Sequence, residues 1–184
     1  MIKGIRIFFF FIIILNSFLF SQNTKTQGFI AITFDDLPMN TKYLEDGKQW
    51  VEQTQKLLTT IKHYNIPAVG FVNEYKLNVN EVLDSTRLKA LQLWVDSDLE
   101  LGNHTFSHPD YHYTEEKVFF DDIIKGEKIT TELLSQKNKK LEYFRHPYLH
   151  TGMSLEKKKA LEDFLKEHKY TIAPVTIDNG EWIY

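Results

Sequence analysis

The 184-residue chain contains no cysteine, which excludes disulfides and a lipid-bearing cysteine and leaves packing as the source of its core. It has no excess of positive charge either. Lys and Arg number 22 against 25 Asp and Glu, a net charge of −3 with histidine neutral, and that sign argues against a nucleic-acid partner. Internal repeats and low-complexity tracts are absent beyond the first 21 residues, which also carry the one long apolar run. Lys3 and Arg6 precede an almost unbroken apolar stretch from Ile7 to Phe20, and small and polar residues follow. Residues 1–21 therefore read as a secretory signal peptide, with an apolar segment too short for an ordinary span and a cut after Ser21. Leu19 fits poorly three residues before that cut, so an uncleaved N-terminal membrane anchor is the alternative. The expected location is the periplasm, the cell surface or the medium. Loss of Lys3 and Arg6 takes the net charge to −5 and leaves about 160 residues, one domain's worth of chain. No stable protein partner is inferred.

Residues 22–27 read as a polar tether, and the domain as 28–184. The nearly continuous apolar run Phe29 to Phe34 predicts a strand buried on both sides, ending at Asp35-Asp36 before Pro38. Trp50, Val51, Thr54, Leu57, Leu58 and Ile61 repeat at helical spacing, so a helix runs from Gly47 to near Asn65. Ala68 to Val72 is a second buried strand. Leu83, Leu88, Leu91 and Trp94-Val95 form the next helix, and Leu99 to Gly102 a brief third strand. A helix over Glu115 to Leu134, a strand at Leu141 to Phe144, a helix over Leu155 to His168 and a strand at Tyr170 to Ile177 complete the pattern. Alternating strands and helices predict an α/β fold with a parallel sheet, whose right-handed crossovers place every strand's C-terminal end on one side. The reactive-looking residues obey that geometry: Asp35-Asp36, His104 to His108, Arg145 to Tyr148 and Asp178 to Trp182 all follow strands.

His104-Thr105-Phe106-Ser107-His108 places two imidazoles four residues apart, and Pro109 limits any helix there to about one turn. Two histidines and one carboxylate suit zinc or a similar divalent ion with positions left for water and substrate. At this point Thr33-Phe34-Asp35-Asp36, His104-Thr105-x-x-His108 and Arg145-x-Pro147-Tyr148, in that order, resemble the first three motifs of the polysaccharide deacetylase family of carbohydrate esterases. The resemblance spans Phe29 to Trp182 and implies a distorted, incomplete (β/α) barrel. It implies that Asp36, His104 and His108 hold one divalent metal ion, Zn2+ above others, that Asp35 is the general base braced by Arg145, and that the Tyr148 backbone amide stabilises the oxyanion. It implies an acetylated polysaccharide or oligosaccharide as substrate, bordered by Trp182, Asp178, Pro147 and His146.

Two departures qualify the resemblance. Asp178-Asn179-Gly180-Glu181-Trp182 has glutamate where the family's fourth motif has aspartate before tryptophan. The fifth motif, a leucine two residues before a general-acid histidine, has no counterpart before Tyr184, so the C-terminal part of the barrel is expected to be missing. A metal-dependent hydrolase of a non-sugar amide and a secreted carbohydrate-binding or pseudo-enzymatic module are the alternatives. Tyr111-His112-Tyr113 is a candidate rim of the groove, and His146 and His150 flank the third motif.

Overall fold

The computed structural model describes residues 28–39 and 47–179. The signal-peptide and tether expectations, Glu181 and Trp182 lie outside these residues. In chain order the elements are β1 (Ile32–Leu37), α1 (Gly47–His63), β2 (Ala68–Val72), a 3-10 turn (Glu74–Leu77), the hairpin β3 (Asn78–Val79) and β4 (Val82–Leu83), and α2 (Ser85–Asp96). There follow β5 (Glu100–Asn103), α3 (Glu116–Lys125), α4 (Lys128–Ser135), β6 (Tyr143–Phe144), a 3-10 turn (Pro147–Leu149), α5 (Leu155–Glu167) and β7 (Thr171–Ile172). The main sheet runs β1-β2-β5-β6-β7, with every neighbouring pair parallel. Strands join it in chain order without reversal. That is the order of a (β/α) barrel, in contrast to the switch point of a doubly wound sheet.

Local chemistry sets the element ends. Asp84 caps α2 by accepting from the Thr86 and Arg87 N–H groups at 3.0 and 2.8 Å. Ser154 caps α5 by accepting from Lys157 N at 3.1 Å. Helices α1, α2 and α4 bury Leu58, Ile61, Leu91, Trp94 and Leu134 in one core cluster with Val72 and Leu101 of the sheet. Helices α3 and α5 bury Phe119, Ile123, Leu161 and Leu165 in a second, with Phe144 and Tyr170. Among the described residues no helix is long and apolar enough to cross a membrane.

Three expectations need correction. The first strand does not run from Phe29 to Phe34 between two covered faces: it begins at Ile32, and Phe29 and Ile30 are 88% and 78% exposed. Among the described residues β1 pairs with β2 alone, so its start lies at the margin of the described sheet, where few neighbours cover it. The strand also continues through both aspartates. Phe34 pairs with Gly70 and Leu37 with Val72, so the chain inserts an extra residue at Asp35-Asp36, where Asp36 has φ 66°. This bulge, rather than a strand end, lets two adjacent carboxylates serve one place. Finally, the long helix over Glu115 to Leu134 is two helices broken around Gly126. A Cβ on Gly126 would stand 2.5 Å from Phe106 N and 2.6 Å from the Thr105 carbonyl carbon, so the loop between the histidines packs directly on this backbone. Both contacts are main chain, which has little room to give. Gly126→Ala is expected to cost about 1–3 kcal/mol in urea unfolding and to weaken metal binding, because the displaced atoms belong to the loop that holds both histidines.

Candidate metal and hydrolytic centre

Two buried asparagines build the histidine loop. Asn103, the last residue of β5, accepts from Thr105 N at 2.6 Å and donates to Ile123 O and the Tyr170 hydroxyl at 2.9 and 2.8 Å. Asn73, just after β2, donates to His104 O at 2.5 Å. The next turn is closed by His108 N donating to Thr105 Oγ1 at 3.0 Å, and Ser107 N and Oγ donate to Asp122. Thr105 and His108 take φ of 67° and 60°, left-handed conformations rare for a β-branched or bulky residue. The result sets the two imidazoles 4.8 Å apart between centroids, inclined at 71°. His108 Nε2 lies 3.8 Å from Asp36 Oδ1, and one ligand atom from each of Asp36, His104 and His108 falls within 4.8 Å of the other two.

The donor chemistry fits a divalent ion. His104 Nδ1 faces the Arg145 carbonyl oxygen at 2.8 Å, so Nδ1 carries the proton and Nε2 keeps its lone pair. Burial, with His108 adding to it, pushes the His104 pKa down to about 3, so the ring is neutral. Burial also lowers His108, against the opposing Asp36 carboxylate. Burial alone would raise Asp36, but the Lys76 ammonium beside it brings the carboxyl below its usual range. Neutral imidazoles and an ionised carboxylate are the forms a metal needs.

Asp35 belongs to a separate pair. Arg145, immediately after β6, directs Nη1 to both Asp35 oxygens at 3.2 and 3.1 Å, Nη2 to Thr33 Oγ1 at 3.2 Å and Nε to Ala173 O at 2.6 Å. Its side chain is 3% exposed and Asp35's is 32%, so a buried guanidinium holds a carboxylate that keeps part of its surface in contact with solvent. Tyr148 packs its ring on His108 at 4.5 Å with φ 55°. The structure thus brings Asp35, Asp36, His104, His108, Arg145 and Tyr148 to one edge of the sheet.

The other expected residues differ in their burial. His146 shares the face of Phe144, whose ring it meets edge-on at 5.2 Å, and is buried opposite Arg145. The backbone stays extended past β6, with His146 at φ −67° and ψ 125°, so residues 144 and 146 face one way and 145 the other. Pro147 is buried in the 3-10 turn, and Asp178 lies exposed beyond β7. Tyr111 is fully buried against Phe119, so it is core and not rim.

Sequence reasoning passed over Lys76. It is buried, and its ammonium donates to Asp36 O and Oδ1 at 3.0 and 3.1 Å. Burial lowers its pKa while Asp36 supports the charge. Its only signal was its place four residues past the end of β2.

A family model described as polysaccharide deacetylase matches residues 22–172. The chain is 28% identical over 156 residues to a peptidoglycan-N-acetylglucosamine deacetylase of Bacillus cereus, a match covering 83% of this chain and 46% of that protein. It thus spans about half the length of that curated relative. A family 4 carbohydrate esterase from Streptomyces lividans in complex with acetate aligns with TM-score 0.60 at 18% identity, over 85% of this chain and 67% of that one. A CE4 family pseudoenzyme from Bacillus anthracis aligns with TM-score 0.57 at 18% identity, over 83% and 45%. At these identities the structural likeness bears on the fold alone.

Two measurements follow from the geometry. His104→Ala is expected to abolish stoichiometric divalent metal in elemental analysis of the purified protein, and full retention would remove His104 from the centre. The second concerns His146, whose pKa burial and then Arg145 push from 6.5 down to about 4. The unfolded chain binds the proton first as pH falls, so this histidine's contribution is intact above about pH 6.5 and lost toward pH 4, about 3 kcal/mol in all. His146→Leu in metal-free protein should flatten the fall of the urea midpoint across that window. An unchanged slope would contradict the assignment.

Proposed function

The chain belongs to the polysaccharide deacetylase family, and from that premise we propose that it is a metal-dependent hydrolase removing acetyl groups from N- or O-acetylated sugars. The observation that carries this reading is the pairing of a metal-suited triad with a separately braced carboxylate: Asp36, His104 and His108 on one side, Asp35 on Arg145 on the other. A pure binding module has no use for a base beside a metal.

Asp36, His104 and His108 would hold one divalent ion, zinc in the first instance. When bound, such an ion would supply Lewis acidity, polarising an acyl carbonyl and acidifying water toward a pKa of about 7. Asp35 accepts the proton of the attacking water. Arg145 keeps that carboxylate ionised and fixes its direction, since both oxygens are tied to one guanidinium nitrogen. The Tyr148 N–H donates to the tetrahedral oxyanion, and Tyr148 walls the site beside His108. Asp35 then returns that proton to the leaving sugar nitrogen or oxygen as the carbon–heteroatom bond breaks, giving acetate and the free amine or hydroxyl.

A second reading is a pseudo-enzymatic carbohydrate-binding module, in which the same residues hold a sugar without turnover. Export is part of the proposal too, on the strength of Lys3, Arg6 and the apolar run after them.

Asp35→Asn decides between the two main readings. It is nearly isosteric and accepts no proton, so metal content should persist while acetate release from an acetylated chitooligosaccharide or xylan drops by about two to four decades. Near-normal turnover in the variant would sink the general-base role, and no acetate from the unaltered chain would favour the binding module.

A further inference from the structure

Lys76 sets a full positive charge against the metal-suited triad, and its backbone gives it little freedom to leave. It sits on the 3-10 turn after β2, where its N–H donates to Asn73 O at 3.1 Å and its carbonyl accepts from Arg87 Nη1 of α2 at 3.0 Å. Arg87 is fixed in turn: the same nitrogen donates to Asn78 O at 3.0 Å, and the guanidinium carbon lies 4.4 Å from the centroid of the Trp50 ring. Tyr75, one residue back, donates its N–H to Phe106 O at 3.1 Å, inside the histidine loop. From this clamped turn the lysine side chain, 8% exposed, reaches Asp36 and donates to its main-chain oxygen and to Oδ1.

Oδ1 is also the Asp36 oxygen that lies 3.8 Å from His108 Nε2. One carboxylate oxygen is thus shared between the ammonium and the ligand set. A carboxylate has about four lone-pair sites, so a donor and an ion can both be accommodated. Charge opposes the pair. Imidazoles bind metal as neutral ligands, so Asp36 carries the whole negative charge of the triad, and Lys76 cancels it. Affinity for a divalent ion grows with the negative charge of its ligands. A neutral hydrogen-bonding partner orients a ligand and strengthens its site, whereas a cationic partner offsets the charge that attracts the ion. Before an ion binds, the lysine has the opposite effect. It compensates a partly buried carboxylate on a left-handed bulge residue, where an unpaired charge is costly.

We propose that Lys76 stands in for the ion's charge: it holds the Asp36 carboxylate in place before metal binds and lowers the affinity of the filled centre, so that the protein takes up and releases its ion with the ambient metal concentration. Lys76 is thus a positioning residue that acts through Asp36. The inference rests on the reading of Asp36, His104 and His108 as metal ligands. Coupling of this kind is reciprocal, so the factor by which the lysine weakens the ion is also the factor by which the ion diminishes what the lysine contributes to stability.

Two variants of the whole chain separate charge from hydrogen bonding. Lys76→Gln keeps an N–H donor and loses the charge; Lys76→Met loses both. Zinc affinity is measured by competition with a chromophoric chelator, and stability by urea unfolding in EDTA and in excess zinc. Both variants should bind zinc more tightly than the unaltered chain, by about 5- to 150-fold, the usual range of coupling between two sites. Both should lose stability in EDTA and recover most of it in excess zinc. A merely structural lysine would lower stability equally in the two media and leave affinity alone. That outcome, or weaker zinc binding in Lys76→Gln, overturns the proposal. A variant that folds only with zinc supports it, and failure of both variants to fold in excess zinc overturns it, because the ion should replace the missing charge. His104→Ala keeps the two readings apart. Zinc bound by the unaltered chain and lost in His104→Ala, with affinity not raised in Lys76→Gln, ends this proposal alone; zinc bound by no form of the chain ends the metal reading with it.

Discussion

Arg145 is the residue on which the geometry of the centre depends. Its guanidinium, almost wholly removed from water, is held by Ala173 O, Thr33 Oγ1, Asp35 and the Phe71 ring, 4.5 Å from the guanidinium carbon. Its carbonyl fixes the His104 tautomer, and its N–H donates to Asn103 O at 3.0 Å. One residue at the end of a two-residue strand thereby ties β1, β5 and the segment after β7 together. Removing a single partner of such a buried charge leaves the other uncompensated, which costs far more than the net worth of the pair. The fold tolerates the buried ions because they come in pairs. Asp35 faces Arg145, Asp36 faces Lys76, and the two histidines are neutral, so the residues of the centre are electrically balanced as a set.

The electrostatic weight of Lys76 follows from its position. Two unit charges about 4 Å apart at an effective dielectric near 20 interact by about 4 kcal/mol, and the ammonium is within 3.1 Å of Asp36 Oδ1. That attraction offsets part of the cost of burying the lysine, whose pKa burial still holds below its usual value. The same ammonium donates to Asp36 O, so it also anchors the backbone at the bulge.

The alternation of strands and helices, and the place of His104, His108 and Arg145 after strands, were legible because they rest on apolar periodicity and residue type. Asp35, Asp36, His104, His108 and Arg145 carry chemistry that their identity and order announce. What escaped reading depends on contact. Asn73 and Asn103 look like ordinary polar residues at strand ends, and only their bonds to the histidine loop give them a role. Gly126 sits inside a helical pattern, and the loop pressed against it breaks the helix. The bulge in β1 was hidden because apolar patterning fixes a strand's faces, whereas its register comes from Gly70 and Val72 across the ladder. His146 misled because nearness in sequence to a motif does not decide on which side of a strand a ring falls.

The left-handed residues Asp36, Thr105, His108 and Tyr148 carry a consequence for protein engineering. At Thr105, glycine would relieve a conformation that costs of order 1–3 kcal/mol, and a search for thermostable variants would be drawn to it. Yet the threonine hydroxyl closes the turn onto His108, and a glycine there would loosen the ring it positions. Selection for heat resistance and selection for activity therefore pull in opposite directions at this position, so a stabilised version of this chain is best sought on the exposed faces of α1 and α5, away from the loop.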